Sequence, residues 1–448
     1  MNYNEAVQYL YNLTKHGIKL GLENIGRLSD LLGSPQKGFK SIHIAGTNGK
    51  GSTAFIIASI LQSSGYRVGL FTSPHLVRFT ERIRVNNREI PERRVVELTG
   101  LIRKMVDARA DLRPTFFEFI TAMAFLYFSQ EGVDYAVVET GMGGRFDATN
   151  ILQPRITVIT PIDYDHMEFL GNSISRIAFE KAGIIKKSVP VVIGKQQTEA
   201  LEILLETACE KKAEAYIAGR DFVWRLRELN LDGTLFDYIS GRTELRQIKI
   251  PLTGAHQAEN ASLAIKTVDL LLGGIRGREG LIKDALGGIR WAGRFEIRYH
   301  RGIPFILDGA HNPRAINSLF ETITELRRHN RFPFRKLTTL VGIMSDKDAE
   351  KIMLPVLKHS DRVIVTSPSY TRAMGPEGLF NLSLGMKKKM NLRTPLILSS
   401  SLKEAIDIAT GTCSRDEVLL ITGSFYTVGD ASALMGEEEK MKHLCESN

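Results

Sequence analysis

The chain has 448 residues, 43% hydrophobic and 24% charged, with a formal charge of +9 and three widely spaced cysteines, Cys209, Cys413 and Cys445. Such a length exceeds one compact core, so two or three domains are expected, and the composition is that of a soluble globular protein. No apolar run reaches membrane-spanning length, the N-terminus lacks the pattern of a signal peptide, and the cysteines have neither metal-ligand nor disulfide spacing, so a reducing cytoplasm is the expected compartment.

The positive excess is dispersed and accompanies no nucleic-acid motif, which suits small polyanionic substrates better than nucleic acid. Asn4–Leu13 reads as an amphipathic helix with Ala6, Tyr9, Leu10 and Leu13 on one face. Ile25, Leu28, Leu31 and Leu32 make a second short stripe, broken by Gly33-Ser34-Pro35. Ser41–Ala45 is predicted as a buried strand, and a helix is predicted to begin near Ser52, ahead of apolar Ala54–Leu61. Between them, Gly46, Gly49 and Gly51 remove side chains where the backbone must turn and approach a ligand. Strand, glycine loop and helix N-terminus together present backbone N–H groups and a partial positive charge to a phosphate. Lys50 adds a full charge, and the Ser52 or Thr53 hydroxyl can reach a magnesium ion held by the same phosphates. The common nucleotide loop runs Gly, four residues, then Gly-Lys-[Ser/Thr]. This chain departs from it: Ile44 stands at the first position, and Gly51 separates Lys50 from Ser52.

Arg67–Phe71 is predicted as the next strand, and the polar, basic segment 72–85 follows its C-terminal end, where doubly wound sheets bind ligands. Ser73 is a possible metal ligand, and Arg78, Arg82 and Arg84 either meet carboxylates and phosphates or form a solvated face. Glu92–Asp107 and Thr115–Tyr127 read as helices, with Thr115 and Glu118 at capping-box spacing. The strand Asp134–Glu139 ends in a carboxylate followed by Gly141, Gly143 and Gly144, the place for the metal-holding acid of a phosphate-binding domain. Arg155–Thr160 is a further strand, and His166 in the loop after it is a candidate magnesium ligand, although that ion prefers oxygen. The helix Ser173–Ala182 carries Lys181 near its end, which from the residues alone reads as a solvated cation. Val189–Ile193 is a strand, Thr198–Glu210 a helix, and Phe222–Leu226, Leu235–Ser240 and Glu244–Ile250 suggest a small antiparallel subsheet. A helix opening at Gly254 puts His256, Gln257 and Asn260 on one face, where an asparagine can read a purine edge. A boundary near Ile289–Glu296 divides residues 1–293 from 294–448. Beyond it, strands at Pro304–Leu307, Thr338–Ile343, Arg362–Thr366, Leu396–Leu398 and Val418–Ile421 alternate with helices, a second, smaller α/β domain. Its Asp308–Pro313 and Thr422–Ser424 are strand-terminal loops, and the tail from Gly436 is charged and expected to be loose.

Seven motifs in order, Gly46–Thr53, Thr72–His75, Glu139–Asp147, Glu180–Lys186, His256-Gln257 with Asn260, Gly293-Arg294 and Asp308–Pro313, make the chain resemble the folylpolyglutamate synthases, including the bifunctional dihydrofolate synthase type, relatives of the Mur ligases. The resemblance implies an α/β fold: a P-loop-type, mostly parallel sheet domain with a small antiparallel subsheet, plus a smaller Rossmann-like C-terminal domain. It implies an ATP-dependent amide ligase that adds L-glutamate to folates, and to dihydropteroate in the bifunctional type, through an acyl phosphate. ATP and two magnesium ions are the implied cofactors, with no nucleic-acid or membrane partner and a monomeric state. By the same resemblance Thr47, Asn48, Gly49, Lys50, Gly51 and Ser52 hold the ATP phosphates, and Asn260, Arg294 and Asp308 contact the nucleotide. Ser73, Glu139 and His166 match magnesium ligands, and Lys181 matches a lysine that is carbamylated into an anion for the second ion. His311 and Ser424 line the glutamate side, Lys50, Lys181 and His311 are the catalytic expectations, and the loop 74–84 lies near the pterin. A cell-wall Mur-type ligase and a non-enzymatic nucleotide-binding protein are the alternatives.

Overall fold

The computed structural model describes residues 1–16 and 21–436, so Cys445 and the charged tail from residue 437 lie outside the described residues. Eight strands form the first sheet: β1 (Lys40–Ala45), β2 (Val68–Phe71), β3 (Ile83–Val85), β4 (Arg88–Glu89), β5 (Tyr135–Glu139), β6 (Ile156–Ile159), β7 (Val191–Ile193) and β8 (Ala215–Ile217). Their order is β4-β3-β2-β5-β1-β6-β7-β8. β1 runs parallel to both neighbours and is buried at every position but its first, so even the polar Ser41 and His43 of this mostly apolar run lie inside. β2 pairs parallel with β5, β6 with β7 and β7 with β8.

The polar, basic segment 72–85 supplies β3, and the antiparallel edge β2-β3-β4 closes that side of the sheet. Parallel pairing puts the C-terminal ends of β1, β2, β5 and β6 on one edge, so the loops at 46–49, 72–78, 140–147 and 160–166 share it. The helix Phe116–Gln130 is apolar nearly all round and correspondingly buried. Glu118, 4% exposed, closes the expected capping box: its N–H donates to Thr115 Oγ1 at 3.3 Å, and its carboxylate accepts from Thr115 N at 2.7 Å. Its burial is a cap, not a catalytic position.

The expected subsheet is β9 (Val223–Asn230), β10 (Gly233–Ser240) and β11 (Thr243–Ile250), in order β11-β10-β9; two-residue turns join successive strands, which makes them antiparallel. A third sheet contains β12 (Glu296–His300), β13 (Ile303–Leu307), β14 (Lys336–Val341), β15 (Arg362–Val365), β16 (Leu396–Leu398) and β17 (Glu417–Thr422), in order β12-β13-β17-β14-β15-β16. All of its pairings are parallel except β12 with β13. β12 was not legible, because its Glu-Ile-Arg-Tyr-His sequence is that of a polar, partly exposed edge strand. By internal contacts the chain divides into one unit of residues 1–225, 236–248 and 258–289 and another of 226–235, 249–257 and 290 onward. The two excursions at 226–235 and 249–257 have no sequence signal. No helix among the described residues is long and apolar enough to cross a membrane.

Candidate active site

Gly46, directly after β1, has φ +147, and a Cβ there would lie 1.9 Å from Thr160 Oγ1. The loop is pinned to the one after β6: Thr47 N and Asn48 N donate to Pro161 O at 3.0 and 3.2 Å, and Thr47 Oγ1 exchanges 3.0 Å hydrogen bonds with Asp163 O and N. Gly49, at φ +85, starts the helix Lys50–Ser63, and no side chain caps it. The first N–H groups of that helix therefore face the loop without an intrahelical acceptor. Asn260 covers Gly49 so closely that a Cβ would sit 2.2 Å from its Oδ1. The expected phosphate loop and the expected purine reader are thus neighbours. Lys50 Nζ donates to Thr47 O at 3.2 Å and lies 3.9 Å from Glu139 Oε1.

Glu139 ends β5 and is 4% exposed; its Oε2 accepts from Ser73 N at 3.1 Å. The loop after it is shaped by Asp147, whose Oδ2 accepts from Met142 N at 2.9 Å and whose Oδ1 accepts from Thr149 N at 3.0 Å and from Thr149 Oγ1. Thr149 Oγ1 also meets the buried His43 Nε2 at 2.7 Å. Sequence reasoning left Asp147 without a role. The available signal was an aspartate two residues ahead of a threonine, a side-chain-to-backbone turn.

Lys181 is not the solvated cation its residues suggest. It is 4% exposed and donates from Nζ to Gly46 O at 2.7 Å. Burial and the nearby Lys50 push its amine down to about 7, against the pull of Asp165 and Asp147. The helix Ile174–Ala182 that carries it packs against the glycine loop after β5: a Cβ on Gly144 would meet Lys181 O at 2.8 Å. His166 adopts φ +50 and has its ring nitrogen Nε2 3.9 Å from Asp165 Oδ2.

A magnesium ion takes oxygen donors, which the Glu139 carboxylate and Ser73 hydroxyl can offer; the amine of Lys181 cannot serve as a ligand while it donates to Gly46 O. Among the described residues no group of three or more His, Cys, Asp or Glu forms a metal cluster. The arginines of the loop 74–84 have protein partners: Arg78 and Arg84 pair with Glu89 at 3.0 and 3.6 Å, and Arg82 Nε donates to His75 Nδ1 at 2.7 Å.

In the second unit Asp308 ends β13, where its Oδ2 accepts from Phe295 N at 2.8 Å and its Oδ1 from Ala310 N at 2.9 Å. Burial pushes this carboxyl up while Arg294 holds it down. Arg294 lies 4.3 Å over the Phe425 ring, and His311 has its ring centroid 5.5 Å from the same ring. His311 Nδ1 donates to Gly309 O at 2.8 Å, a carbonyl being able only to accept. His256 is neutral, pushed down to about 4 by burial and by Arg294. Ser424 caps the helix Phe425–Met435, accepting from Thr427 N at 3.0 Å.

Residues 44–268 match the Mur ligase middle domain, and residues 293–425 the Mur ligase glutamate ligase domain. The dihydrofolate synthase/folylpolyglutamate synthase of Bacillus subtilis is 34% identical over 440 residues, 96% of this chain and 98% of that protein. The chain belongs to the folylpolyglutamate synthase and dihydrofolate synthase family of Mur ligases. Two solved members of the family extend the likeness to structure. Mycobacterium tuberculosis folylpolyglutamate synthase complexed with ADP superimposes with a TM-score of 0.89 at 32% identity, over 97% of this chain and 99% of that one. The Escherichia coli protein in complex with DHPP and ADP gives 0.84 at 29% identity, over 97% of both chains. This folylpolyglutamate synthase relative is therefore an enzyme of the ligase class, which removes the non-enzymatic alternative.

The Gly49–Asn260 contact gives a direct prediction for this synthase relative. Gly49→Ala is expected to cost about 1–3 kcal/mol of stability, because a non-glycine residue is strained at φ +85 and displaces Asn260. ADP affinity should fall at least about tenfold as well. Thermal denaturation with and without ADP measures both effects.

Proposed function

We propose that this chain is an ATP-dependent ligase that adds L-glutamate to folates, with dihydropteroate as a second acceptor. One observation carries the reading: an uncapped helix N-terminus at Gly49, with Lys50 Nζ turned back over the loop and 3.9 Å from the buried Glu139. The N–H groups at the start of the helix would bind the ATP phosphates, and Lys50 would neutralise charge that grows on the γ-phosphoryl group as it transfers. Asn260, Arg294 and Asp308 are assigned to the nucleotide, and Thr47, Asn48, Gly51 and Ser52 to the loop that holds it.

Glu139 and Ser73, with His166, would hold magnesium, which when bound supplies positive charge to the phosphate oxygens. Lys181 is proposed to carry a carbamate and so become an oxygen ligand for a second ion; its remaining N–H can still donate to Gly46 O. A folate carboxylate attacks the γ-phosphorus and releases ADP, and the amine of glutamate then displaces phosphate from the acyl phosphate. His311 Nε2 is assigned to take a proton from the incoming amine. We place the enzyme in the cytoplasm as a monomer; its free Cys209 and Cys413 suit a reducing compartment.

The test is phosphate release from ATP. Release is expected only when a pterin carboxylate and L-glutamate are both present, with tetrahydrofolate and dihydropteroate each giving a glutamylated product in parallel reactions. Phosphate release that ignores both acceptors would overturn the reading, and release with dihydropteroate absent but tetrahydrofolate normal would restrict it to the polyglutamylating activity.

A further inference from the structure

The helices Met167–Leu170, Ile174–Ala182 and Thr198–Glu210 border a hollow of about 580 Å³ that is largely open to solvent, its volume within the range of small-molecule sites. Leu170 and Ile203 give it apolar walls, and Phe169 and Phe179 line it while remaining 43% and 50% exposed. Phe169 and Phe179 thus leave part of their rings in water beside one concavity, and Arg145 lies 4.9 Å over the Phe179 ring.

Arg176 also lines the hollow, and among the described residues its guanidinium has no carboxylate partner. Its stem is fixed against Gly171, where an added Cβ would lie 2.9 Å from Arg176 Cδ. Two carboxylates, Glu168 and Glu180, share the lining with it. Glu180 is held by Arg145 at 2.6 Å, and Glu168 lines the hollow as a second, acceptor-only group.

The hollow is not the glycine loop seen from another side. Phe179 and Lys181 are two residues apart on one helix, about 200° around its axis. Lys181 points to Gly46 O, so Phe179 faces away from it.

We propose that this hollow is a second ligand site, apart from the phosphate loop, for a flat aromatic carboxylate carrying an N–H donor. The ring would stack against Phe169 and Phe179, the carboxylate would pair with Arg176, and the donor would reach Glu168. The site goes beyond the ligase reading and does not depend on it, since none of its residues has been assigned to ATP, magnesium, folate or glutamate.

The test is calorimetric titration of the full chain with 4-aminobenzoate in the presence of saturating ADP and tetrahydrofolate, which fill the sites of the proposed reaction. One saturable site is expected, with a Kd on the order of 1 mM, the range open to so small a ligand. Arg176→Ala and Phe179→Ala should each weaken it at least about tenfold and leave ADP affinity unchanged. Aniline, which keeps the ring and amine and lacks the carboxylate, should give no saturable binding. Absence of saturation with the wild-type chain, unchanged affinity in Arg176→Ala, or equal binding of aniline would each overturn the site. Because ligation is not the readout, failure of the catalytic reading would leave this result intact.

Discussion

Lys50→Ala is expected to lower ATP-dependent ligation by about 10²–10³-fold or more while the protein stays folded. That range is the usual cost of one preorganised group at a developing charge. Lys50 is the only side-chain cation of the 46–53 loop, and its Nζ lies over that loop, 3.2 Å from Thr47 O. Its structural share is small. The 3.9 Å approach to Glu139 is long for an ion pair, and Glu139 keeps the Ser73 N–H as a partner in the variant. The helix behind it is anchored by its buried apolar residues, Ala54 through Leu61, and does not depend on Lys50. Stability should therefore change by no more than about 1–2 kcal/mol. Steady-state phosphate release and a thermal melt on the same preparation separate the two effects. A folded Lys50→Ala protein with wild-type turnover would leave the phosphate loop without a catalytic role.

Much of the first unit could be read from the chain because its signals are local. The strand–glycine–helix sequence at 41–61 is one continuous pattern, and Glu139 before three glycines is another. The structure puts both on the same sheet edge because β1 and β5 pair in parallel. Signals that depend on distant partners were not legible. Nothing near Lys181 announces that its amine will be buried against Gly46, 135 residues earlier in the chain. The arginines 78, 82 and 84 read equally as anion-binding or as a solvated face, and neither reading contained the Glu89 and His75 that lie beside them. Asp308 ends a strand as expected, but both of its oxygens hold backbone N–H groups, which adds a fold-shaping task to the ligand role assigned by resemblance. Asn260 could be read as a purine contact on its helix face, but its place over the loop shows only in the 2.2 Å approach to the missing Cβ of Gly49.

Lys181→Ala is expected to abolish ligation nearly completely, with partial recovery on addition of a short carboxylate such as acetate or propionate. A carbamate forms when a neutral amine adds to carbon dioxide and releases a proton, so the amine must be free of its proton at working pH. Burial supplies that condition by bringing Lys181 from an ordinary 10.5 down to about 7, and the neutral fraction rises as pH climbs through that value. The same shift sets a stability cost. Between about 7 and 10.5 the unfolded chain binds more protons at this site than the folded one, so the unmodified protein gains stability as pH rises, and the cost is fully present below about 7. Lys181→Met, similar in volume and never charged, should therefore melt no lower than carbon-dioxide-depleted wild type near pH 7 while remaining inactive. A side chain that lowers stability where it sits and cannot be replaced without loss of turnover is held there for chemistry. Labelled bicarbonate provides the direct observation: a carbamate carbon resonance in wild type that disappears in Lys181→Ala. A wild-type spectrum without that resonance, together with no rescue by carboxylates, would mean that Lys181 acts as an amine, and the second metal ligand would have to be sought elsewhere on the same sheet edge.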